Sequence, residues 1–498
     1  MKHILLGNLL ILFSLSFAWS HPTFSEGVDE YQVTFDNSSP NTIHVKALIT
    51  LEDSLLYMSQ NGPVPERWPR YIRNIGVTNQ DGKTLEVIDN EAGGWILRGV
   101  NSGQRLFLHY DMSVDHESES WPGGIDGVAY IRDWGVMTSG RALFVMNGRH
   151  KNDIRIRFEV PDGWSISAPW RVLNEGSHTY SVPNLTELQE TFLFAGTQSE
   201  LLVEREGFTL KFVLGGPEVL KEQARFEAVA SGVMDYYIDL MGGVPRLPGD
   251  NQTEQCMVII SQSDRVDGEV IGQHISMFMD PGGDQMNQLM GWFMFAHEFF
   301  HLWNGKSLRF TTSQTDWFKE GVSNYYTIKA LNQIGFANEH LVFMILNNLF
   351  YQRYITDTGL GNMAPAEAAE GFSKDNHWGL IYGGGLFAGI AMDMEIRHKT
   401  GNRASLDDVM RNFYREYGGS DQTIDSNDIL AKVNQIGNTD FSEFMKSYIN
   451  GTDPILLAPY MRYAGIEADT SANQLRLHHL QDKTDLQSDI WSGFLGAH

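Results

Sequence analysis

The stretch Met294-Phe-Ala-His297-Glu298-Phe-Phe-His301-Leu-Trp303 carries the pattern H-E-x-x-H inside an apolar run. This spacing predicts a helix on which both histidines lie on one face, one turn apart, so that both imidazoles can reach a single metal ion. Glu298 points about 100° round the helix from His297, beside the open coordination position, where it can take a proton from water. Asn304-Gly305 is a typical signal for the end of a helix.

The alternative interpretation of this stretch is a buried helix with two structural histidines. The chain has 16 His, and chance alone gives roughly 0.03 motifs of this kind in a chain of this length. A structural helix usually needs one histidine on its apolar face, not two at ligand spacing with a carboxylate between them. The motif therefore favours a metal site.

The third metal ligand is expected from the next helix. A catalytic zinc ion usually takes three protein ligands and leaves one position for water. Glu320 follows His301 after eighteen intervening residues, so a second helix packed on the first could supply its carboxylate. Asp316 and Asp375 have a suitable charge as well, and Glu320 could instead be a first-turn acid favoured by the helix dipole. The spacing favours Glu320.

The pattern on both sides of the motif predicts a multidomain α+β protein. Between about Tyr31 and Gly196, apolar and polar residues alternate in short runs separated by turn signals, which is typical of an antiparallel β-sandwich-like domain. Strand-like runs at 256–261 and 274–279 then lead into helical patterns. We expect these helices at about 285–303, 316–334, 337–352, 379–399, 405–417 and 439–449.

These changes of pattern predict the domain limits. Residues 21–205 form the β-rich domain and residues 206–454 the mostly helical domain that carries the metal motif. Residues 455–498 are too few for a further ordinary domain, so we expect a tail that packs on the helical domain.

The first twenty residues predict a cleaved signal peptide. Lys2 and His3 precede an apolar stretch, and Ala18-Trp19-Ser20 offers small residues at the two positions that a signal peptidase reads. The stretch is short for a membrane anchor, and no other segment is apolar over the ~20 residues that a span needs. We therefore expect export to a periplasm or to the medium, with no integral membrane segment after cleavage.

Composition excludes several classes of protein. The chain has 62 acidic and 37 basic residues and a formal charge of -25, which disfavours nucleic acid as a partner. Cys256 is the single cysteine, so neither an intrachain disulfide nor a multi-cysteine metal site can form.

H-E-x-x-H, eighteen residues and a glutamate is the arrangement of the gluzincin metallopeptidases. Within that group the chain resembles the glycyl aminopeptidase family, through the following stretches: His297-Glu-Phe-Phe-His-Leu-Trp-Asn-Gly-Lys-Ser-Leu-Arg309, Trp317-Phe-Lys-Glu-Gly-Val-Ser-Asn-Tyr-Tyr326, Tyr382-Gly-Gly-Gly-Leu-Phe-Ala388, Ser405-Leu-Asp-Asp-Val409 and Tyr414-Arg-Glu-Tyr-Gly418. The similarity extends more loosely to Arg70-Tyr-Ile-Arg-Asn-Ile75 in the first half.

The resemblance implies a thermolysin-like catalytic domain and one Zn²⁺ per chain. It implies that His297, His301 and Glu320 bind the zinc and that Glu298 is the general base. The expected substrates are peptides or proteins, and the expected activity is that of an aminopeptidase that prefers small N-terminal residues.

Three features depart from the family pattern. At Gln273-His274 the family carries Glu-His, whose glutamate is suited to the substrate α-amine, so we expect a weaker amine contact from the neutral amide. Tyr382 matches a tyrosine that hydrogen-bonds the oxyanion, but Gly384 replaces the lysine that follows it. Many family members also end in a PDZ domain, which we do not expect here.

These departures leave two other functions open. A zinc endopeptidase or oligopeptidase would need no carboxylate for an α-amine and would cleave N-terminally blocked peptides as well as free ones. A zinc-binding protein with weak catalysis would fit the changes at Gln273 and Gly384, whereas the intact Glu298 argues against it.

Overall fold

The structure is a computed structural model that describes residues 28–61, 68–114, 116, 128–247, 255–264, 266–371 and 373–496. The predicted signal peptide, residues 1–20, lies outside the described residues.

The first part of the chain is built from β-strands, whose alternating burial reflects the alternating sequence. The strands are β1 (Glu30–Phe35), β2 (Thr42–Thr50), β3 (Leu55–Tyr57), β4 (Ile72–Asn79), β5 (Val87–Asp89), β6 (Gly94–Leu97), β7 (Arg105–Ser113), β8 (Tyr130–Arg132), β9 (Gly135–Ser139), β10 (Met146–Asn147), β11 (Asn152–Glu159), β12 (Ser165–Ser167), β13 (Arg171–Asn174), β14 (Thr179–Asn184) and β15 (Phe192–Gly196).

Within the described ranges these strands form a seven-stranded sheet and two four-stranded sheets. The large sheet has the order β13-β14-β11-β1-β2-β7-β4, and the smaller ones have the orders β10-β3-β6-β5 and β12-β15-β9-β8. The predicted β-rich first half is confirmed. One pair differs from the antiparallel expectation, because β1 lies parallel to β11, which is distant in sequence.

A further sheet begins the second part of the chain and carries the metal motif on one face. Its strands, in the order β16-β17-β18-β20-β19, are β16 (Ser199–Arg205), β17 (Phe208–Gly215), β18 (Gln255–Gln262), β19 (Asp267–Ile271) and β20 (His274–Met279). The expected domain limit at 205/206 falls between β16 and β17, which pair as a hairpin of this sheet. The sheet therefore starts before the expected limit.

Apart from this sheet and two short strand pairs, the second part is helical in the described residues, as the 3.6-residue patterns predict. The α-helices of the described residues are α1 (Gly140–Leu143), α2 (Leu185–Gln189), α3 (Pro217–Lys221), α4 (Gln223–Met241), α5 (Gln285–Phe300), α6 (Asp316–Gln333), α7 (Glu339–Met344), α8 (Gln352–Thr356), α9 (Pro365–Ala368), α10 (Ser373–Asn376), α11 (Gly384–Thr400), α12 (Leu406–Tyr417), α13 (Ser426–Gly437), α14 (Ser442–Phe444), α15 (Leu457–Met461) and α16 (Asp485–Phe494). Three segments are π-helical, at Ile345–Tyr351, Gly379–Gly383 and Met445–Ile449.

Helices α5 and α6 position the metal motif. The Asp284 side chain caps α5 by accepting from the backbone N–H of Asn287 at 2.9 Å. Helix α5 packs on β19 and β20 on one side and on α6 on the other. Helix α6 is buried along most of its length.

Helices α6 and α11 cross at two glycines. A Cβ on Gly321 would lie 2.1 Å from the carbonyl carbon of Gly385, and a Cβ on Gly385 would lie 2.0 Å from the carbonyl oxygen of Trp317. The two backbones therefore touch directly, one residue after Glu320 and three residues after Tyr382.

The last described residues pack on the helical part of the chain. The Asn332 side chain, at the end of α6, donates to the carbonyl oxygen of Leu495 at 2.7 Å, and the Trp491 indole donates to Glu339 at 2.6 Å. Two short strands, β23 (Ile466–Asp469) and β24 (Arg476–His479), pair before α16. A further pair consists of β21 (Arg309–Phe310) and β22 (Thr423–Ile424). Within the described ranges, every helix is too short or too polar to cross a membrane.

Candidate metal centre and cleft

Three side chains from α5 and α6 converge on one point. The Nε2 atoms of His297 and His301 are 3.1 Å apart, and Oε2 of Glu320 lies 3.4 Å from the first and 3.0 Å from the second. His301 caps the C-terminal end of α5, one turn after His297. The side chains that the sequence predicts as ligands are thus brought together.

Hydrogen bonds fix the imidazole of His301. Its Nδ1 donates to the carbonyl oxygen of Asn304 at 3.0 Å, which leaves the Nε2 lone pair directed at the convergence point. The Asn304 side chain in turn donates to the carbonyl oxygen of Lys319 at 2.9 Å. The turn that follows the motif therefore also fastens α5 to α6.

Two lysines hold the other oxygen of Glu320. Lys374 Nζ lies 2.8 Å from Oε1 of Glu320 and 2.8 Å from Asp316, while Lys319 Nζ lies 3.4 Å from the same oxygen of Glu320. Burial alone would raise the pKa of the Glu320 carboxyl, but Lys374, His301 and Lys319 hold it well below the usual range. Asp316 pairs with the lysines and stands outside the convergent group; the side chain of Asp375 lies outside the described part of the structure.

The convergent group suits a metal ion. His297, His301 and Glu320 are 5%, 9% and 5% exposed, so water solvates their lone pairs poorly. Their ligand atoms lie within 4.8 Å of one another, and a cation between them would satisfy three electron pairs that otherwise face each other. Two imidazoles and one carboxylate form a donor set that is typical of catalytic zinc.

Glu298 lies next to this group and faces the outermost strand of the sheet. A Cβ on Gly268 in β19 would stand 3.5 Å from Cγ of Glu298. Burial raises the pKa of Glu298 to about 7, His297 lowers it, and the negative charge of Glu320 raises it further. A carboxyl group poised near neutrality can accept and return a proton, which is the property of a general base.

Tyr382 lies in the π-helical turn Gly379–Gly383 that precedes α11. Its ring is 6.2 Å from the ring of His297, and it stacks on Trp378 at 4.9 Å with an angle of 4° between the planes. The Asn324 amide holds the turn by donating to the carbonyl oxygen of Tyr382 at 3.2 Å. Burial and the charge of Glu320 raise the pKa of the phenol, so Tyr382 keeps its proton and can donate a hydrogen bond.

A cleft of about 370 Å³ opens over these residues, within the range of small-molecule sites. Its walls come from β19, α5, α6, α8 and the π-helical segments. The residues that line it are Asp267, Gly268, Met290, Phe293, Met294, His297, Glu298, Asn324, Leu349, Arg353, Trp378 and Tyr382.

Gln273 and His274 do not line this cleft. They lie at the far end of the β19–β20 hairpin, where His274 pairs with Ile271, three residues and roughly 10 Å along the strand from Gly268. The Gln273 amide donates to the carbonyl oxygen of Gln255 at 3.2 Å. His274 is 1% exposed, and its Nδ1 accepts from the backbone N–H of Met257 at 3.1 Å. The geometry thus gives no support to a substrate-binding role at these two positions.

Reasoning from the sequence missed several residues of the cleft. Asp267 and Arg353 come from elements whose approach to α5 depends on tertiary packing, and no local pattern marks them. Lys374 was missed for the same reason. Trp378 could have been found, because it precedes Tyr382 by four residues in a helical pattern and so shares its face.

Comparison with known protein families agrees with this geometry. The Peptidase M61 N-terminal domain matches residues 30–196, and the M61 glycyl aminopeptidase domain matches residues 292–382. The second match includes His297, Glu298, His301, Glu320 and Tyr382. Together the two matches cover more than half of the chain. No curated protein matches the sequence.

Solved structures share the fold at low sequence identity. An aminopeptidase N family protein from Idiomarina loihiensis superimposes with a TM-score of 0.76 at 16% identity, over 89% of this chain and 79% of that one. An M1 zinc metallopeptidase mutant from Deinococcus radiodurans gives a TM-score of 0.51 at 12% identity, over 86% and 95%. The same enzyme bound to a Tyr-Ser-Ala substrate gives 0.52 at 13%, over 86% and 94%.

The two family matches follow one another along the chain in the order of the β-rich and helical parts, and the second spans the convergent histidines and glutamate. The protein is a metallopeptidase, and the chain belongs to the M61 glycyl aminopeptidase family.

Proposed function

We propose that this metallopeptidase is a zinc-dependent aminopeptidase that removes small residues from the N-terminus of peptides. The observation that carries the proposal is the convergence of His297, His301 and Glu320 beside Glu298, at a cleft that His297 and Glu298 line. A zinc ion held by the three ligands would polarise the scissile carbonyl and lower the pKa of a bound water towards ~7.

The chain's own residues supply the proton transfers and the orientation. Glu298 takes a proton from the attacking water and delivers it to the leaving amine. The Tyr382 phenol, which keeps its proton, donates a hydrogen bond to the developing oxyanion. Asn324 holds the Tyr382 turn in place, and the apolar wall of Phe293, Met294 and Trp378 limits the access of further water.

An acidic group on the wall of the cleft supports recognition of a free amine. Asp267, at the start of the outermost strand, lines the cleft beside Glu298, whose pKa it contributes to raising. We therefore assign the amine contact to Asp267 in place of position 273. A carboxylate attracts an ammonium more strongly than an amide does.

A zinc endopeptidase is the second candidate, because Gln273 carries no charge and its amide points to Gln255, not into the cleft. The two candidates differ in their response to a blocked N-terminus. We expect peptides with free N-termini to be shortened one residue at a time and their acetylated counterparts to resist cleavage. Internal cleavage of both series would establish the endopeptidase.

The Glu298→Gln variant tests the mechanism. We expect it to bind one zinc per chain, measured by elemental analysis, and to lose peptidase activity by several orders of magnitude, because the amide cannot accept the proton. Glu443→Gln, which changes an exposed carboxylate on α14, is the matched control and should keep full activity. Appreciable hydrolysis by the zinc-loaded Glu298→Gln protein would refute the role of Glu298.

We also propose that the protein is exported, on the strength of the signal-peptide pattern of residues 1–20. N-terminal sequencing of the protein recovered from its natural source tests this. A first residue near His21 supports export, whereas a protein that retains Met1 contradicts it.

A further inference from the structure

An arginine stands at the rim of the cleft. Arg353, on α8, is exposed and lines the cleft together with Trp378 and Tyr382. Its Cζ lies 4.5 Å from the centre of the Trp378 ring, and that ring also stacks on Tyr382 at 4.9 Å and on Phe350 at 5.5 Å. Stacking on Trp378 fixes the guanidinium in place and leaves its N–H groups available.

No described carboxylate or carbonyl group pairs with Arg353: it makes no ion pair and no side-chain hydrogen bond with the described residues. The acidic residue one turn further along, Asp357, is already occupied by His377 Nδ1 at 2.8 Å and by the backbone N–H groups of Gly359 and Leu380 at 2.9 and 3.1 Å. Burial against the aromatic rings lowers the pKa of Arg353. This direction is expected for a cation when no nearby carboxylate compensates the effect of burial.

An arginine of this kind is suited to a planar anion. Its fork of N–H donors matches a carboxylate in a bidentate arrangement. The protein has an excess of acidic residues, 62 against 37 basic ones, so a basic group without an acidic partner inside the cleft is unusual for this surface. A substrate that enters the cleft could supply the carboxylate that pairs with the Arg353 guanidinium.

We infer that Arg353 binds a carboxylate of the peptide substrate, either the C-terminal carboxylate of a short peptide or the side chain of an acidic residue. This inference rests on the proposed peptidase function. It makes Arg353 a specificity-determining residue that selects substrates by a negative charge at a set distance from the cleaved bond.

The distance follows from the stack. Tyr382 marks the cleaved bond, and the guanidinium is linked to it through the Trp378 ring by separations of 4.9 and 4.5 Å, whose sum is the largest distance between them. An extended peptide advances ~3.3 Å per residue, so it covers this largest distance in about three residues. The preferred substrates therefore carry a negative charge within about three residues of the cleaved bond, as the C-terminus of a short peptide or as an acidic side chain.

Steady-state kinetics on three tetrapeptides test the inference: Gly-Ala-Ala-Ala with a free C-terminus, the same peptide as its C-terminal amide, and the amide of Gly-Ala-Glu-Ala. For the zinc-loaded protein we expect KM for the best carboxylate peptide to be about 10- to 100-fold below that of the uncharged amide, with kcat nearly unchanged. Preference for the free acid identifies the C-terminal carboxylate as the ligand. Preference for the glutamyl amide identifies the side chain.

Variants separate the role of Arg353 from its effect on folding. Arg353→Gln should raise KM for the charged peptide to that of the uncharged amide, and Arg353→Lys should recover part of the difference. Arg171→Gln, which changes an exposed arginine on β13, should behave like the parent protein. The inference is overturned if the three peptides have equal KM values and Arg353→Gln leaves these values unchanged. If cleavage still depends on Glu298 in that case, the proposed peptidase function stands.

Binding provides a readout that is independent of turnover. Calorimetric titration of the Glu298→Gln protein with the three peptides should show tighter binding of a charged peptide, and Arg353→Gln in the same background should remove the difference. If no peptide is cleaved in a Glu298-dependent manner, the proposed function fails. The binding series then decides on Arg353, because equal affinities for charged and uncharged peptides reject its role.

Discussion

Glu320 shares its two carboxylate oxygens between two kinds of partner. Oε2 faces the two imidazoles, and Oε1 faces the ammonium groups of Lys374 and Lys319. Because the two ammonium groups occupy Oε1, Oε2 is the oxygen that would hold a metal ion. The lysines also neutralise the carboxylate while the metal is absent, since it is only 5% exposed.

Replacement of Lys374 should therefore be costly mainly in the metal-free protein. We expect Lys374→Met to reduce the free energy of unfolding by about 2–3 kcal/mol in the presence of a chelator, because the buried carboxylates of Glu320 and Asp316 then keep only Lys319 as a cationic partner. Zinc should restore part of the loss, since it supplies positive charge at Glu320. Denaturant unfolding with and without zinc measures both values.

The matched control is Lys446→Met, which breaks an exposed pair with Glu443 and should change the stability by less than about 1 kcal/mol. A loss at Lys374 that is the same with and without zinc would contradict the shared-carboxylate explanation.

The crossing of α6 and α11 depends on Gly321 and Gly385, because a Cβ at either position would collide with the backbone of the other helix. We expect Gly321→Ala to lower the free energy of unfolding by about 1–3 kcal/mol and to weaken zinc binding, because Glu320 would move with the displaced helix. Chemical unfolding and a zinc titration with a competing chelator test the two effects.

Gly389→Ala, on the same α11, is the matched control. Its Cβ would lie 3.5 Å from the Val322 side chain, an ordinary contact, and alanine favours the helix. We expect this variant to be as stable as the parent protein or slightly more stable. Equal effects of Gly321→Ala and Gly389→Ala would show that the close crossing is unimportant.

The helices were predictable because their periodicity is local. The expected limits for α5, α6 and α12 agree with the observed ones to within three residues at each end, whereas α11 begins five residues after its expected start because the π-helical Gly379–Gly383 precedes it. The π-helical segments were not predicted, since one extra residue per turn leaves no clear trace in a short apolar pattern. Tyr382 lies in one of these segments, so its orientation towards His297 depends on a backbone feature that the sequence does not reveal.

The stability of the whole protein should depend on pH through His274. Burial and the nearby Lys306 lower the pKa of His274 to about 3, whereas an unfolded chain takes up the proton near pH ~6.5. The unfolded state thus binds more protons between these values, and the free energy of unfolding falls as the pH falls through this window. The slope contributed by one such group is about 1.4 kcal/mol per pH unit.

The His274→Asn variant should keep an acceptor for the backbone N–H of Met257 and lose this dependence. The measurement is the free energy of unfolding at pH 6, 5 and 4. We expect its slope against pH to be smaller for this variant than for the parent protein by the contribution of about one proton. His150→Asn, which changes an exposed histidine, should keep the parent slope. Parallel slopes for the parent protein and His274→Asn would contradict the prediction.

The arrangement of the sheets was only partly predictable. Alternation along β1, β2 and β7 marks them as half-buried strands, but it does not show which strands pair. The parallel pair of β1 and β11 joins residues more than a hundred positions apart, and such pairing depends on the packing of the whole domain. The metal motif was predictable because three of its residues, His297, Glu298 and His301, lie within five consecutive positions. Asp267 and Arg353, in contrast, reach the cleft only through the complete fold.

The contacts of α16 make the metal centre dependent on a distant part of the chain. Leu495 accepts a hydrogen bond from the end of α6, the ring of Phe494 lies 5.8 Å from that of Tyr325, and Gly493 accepts from Arg397. A protease that cut before α16 would remove all of these contacts at once. We expect such trimming to leave the helix that carries Glu320 incompletely covered and to weaken the metal centre, although the cut lies far from it in sequence.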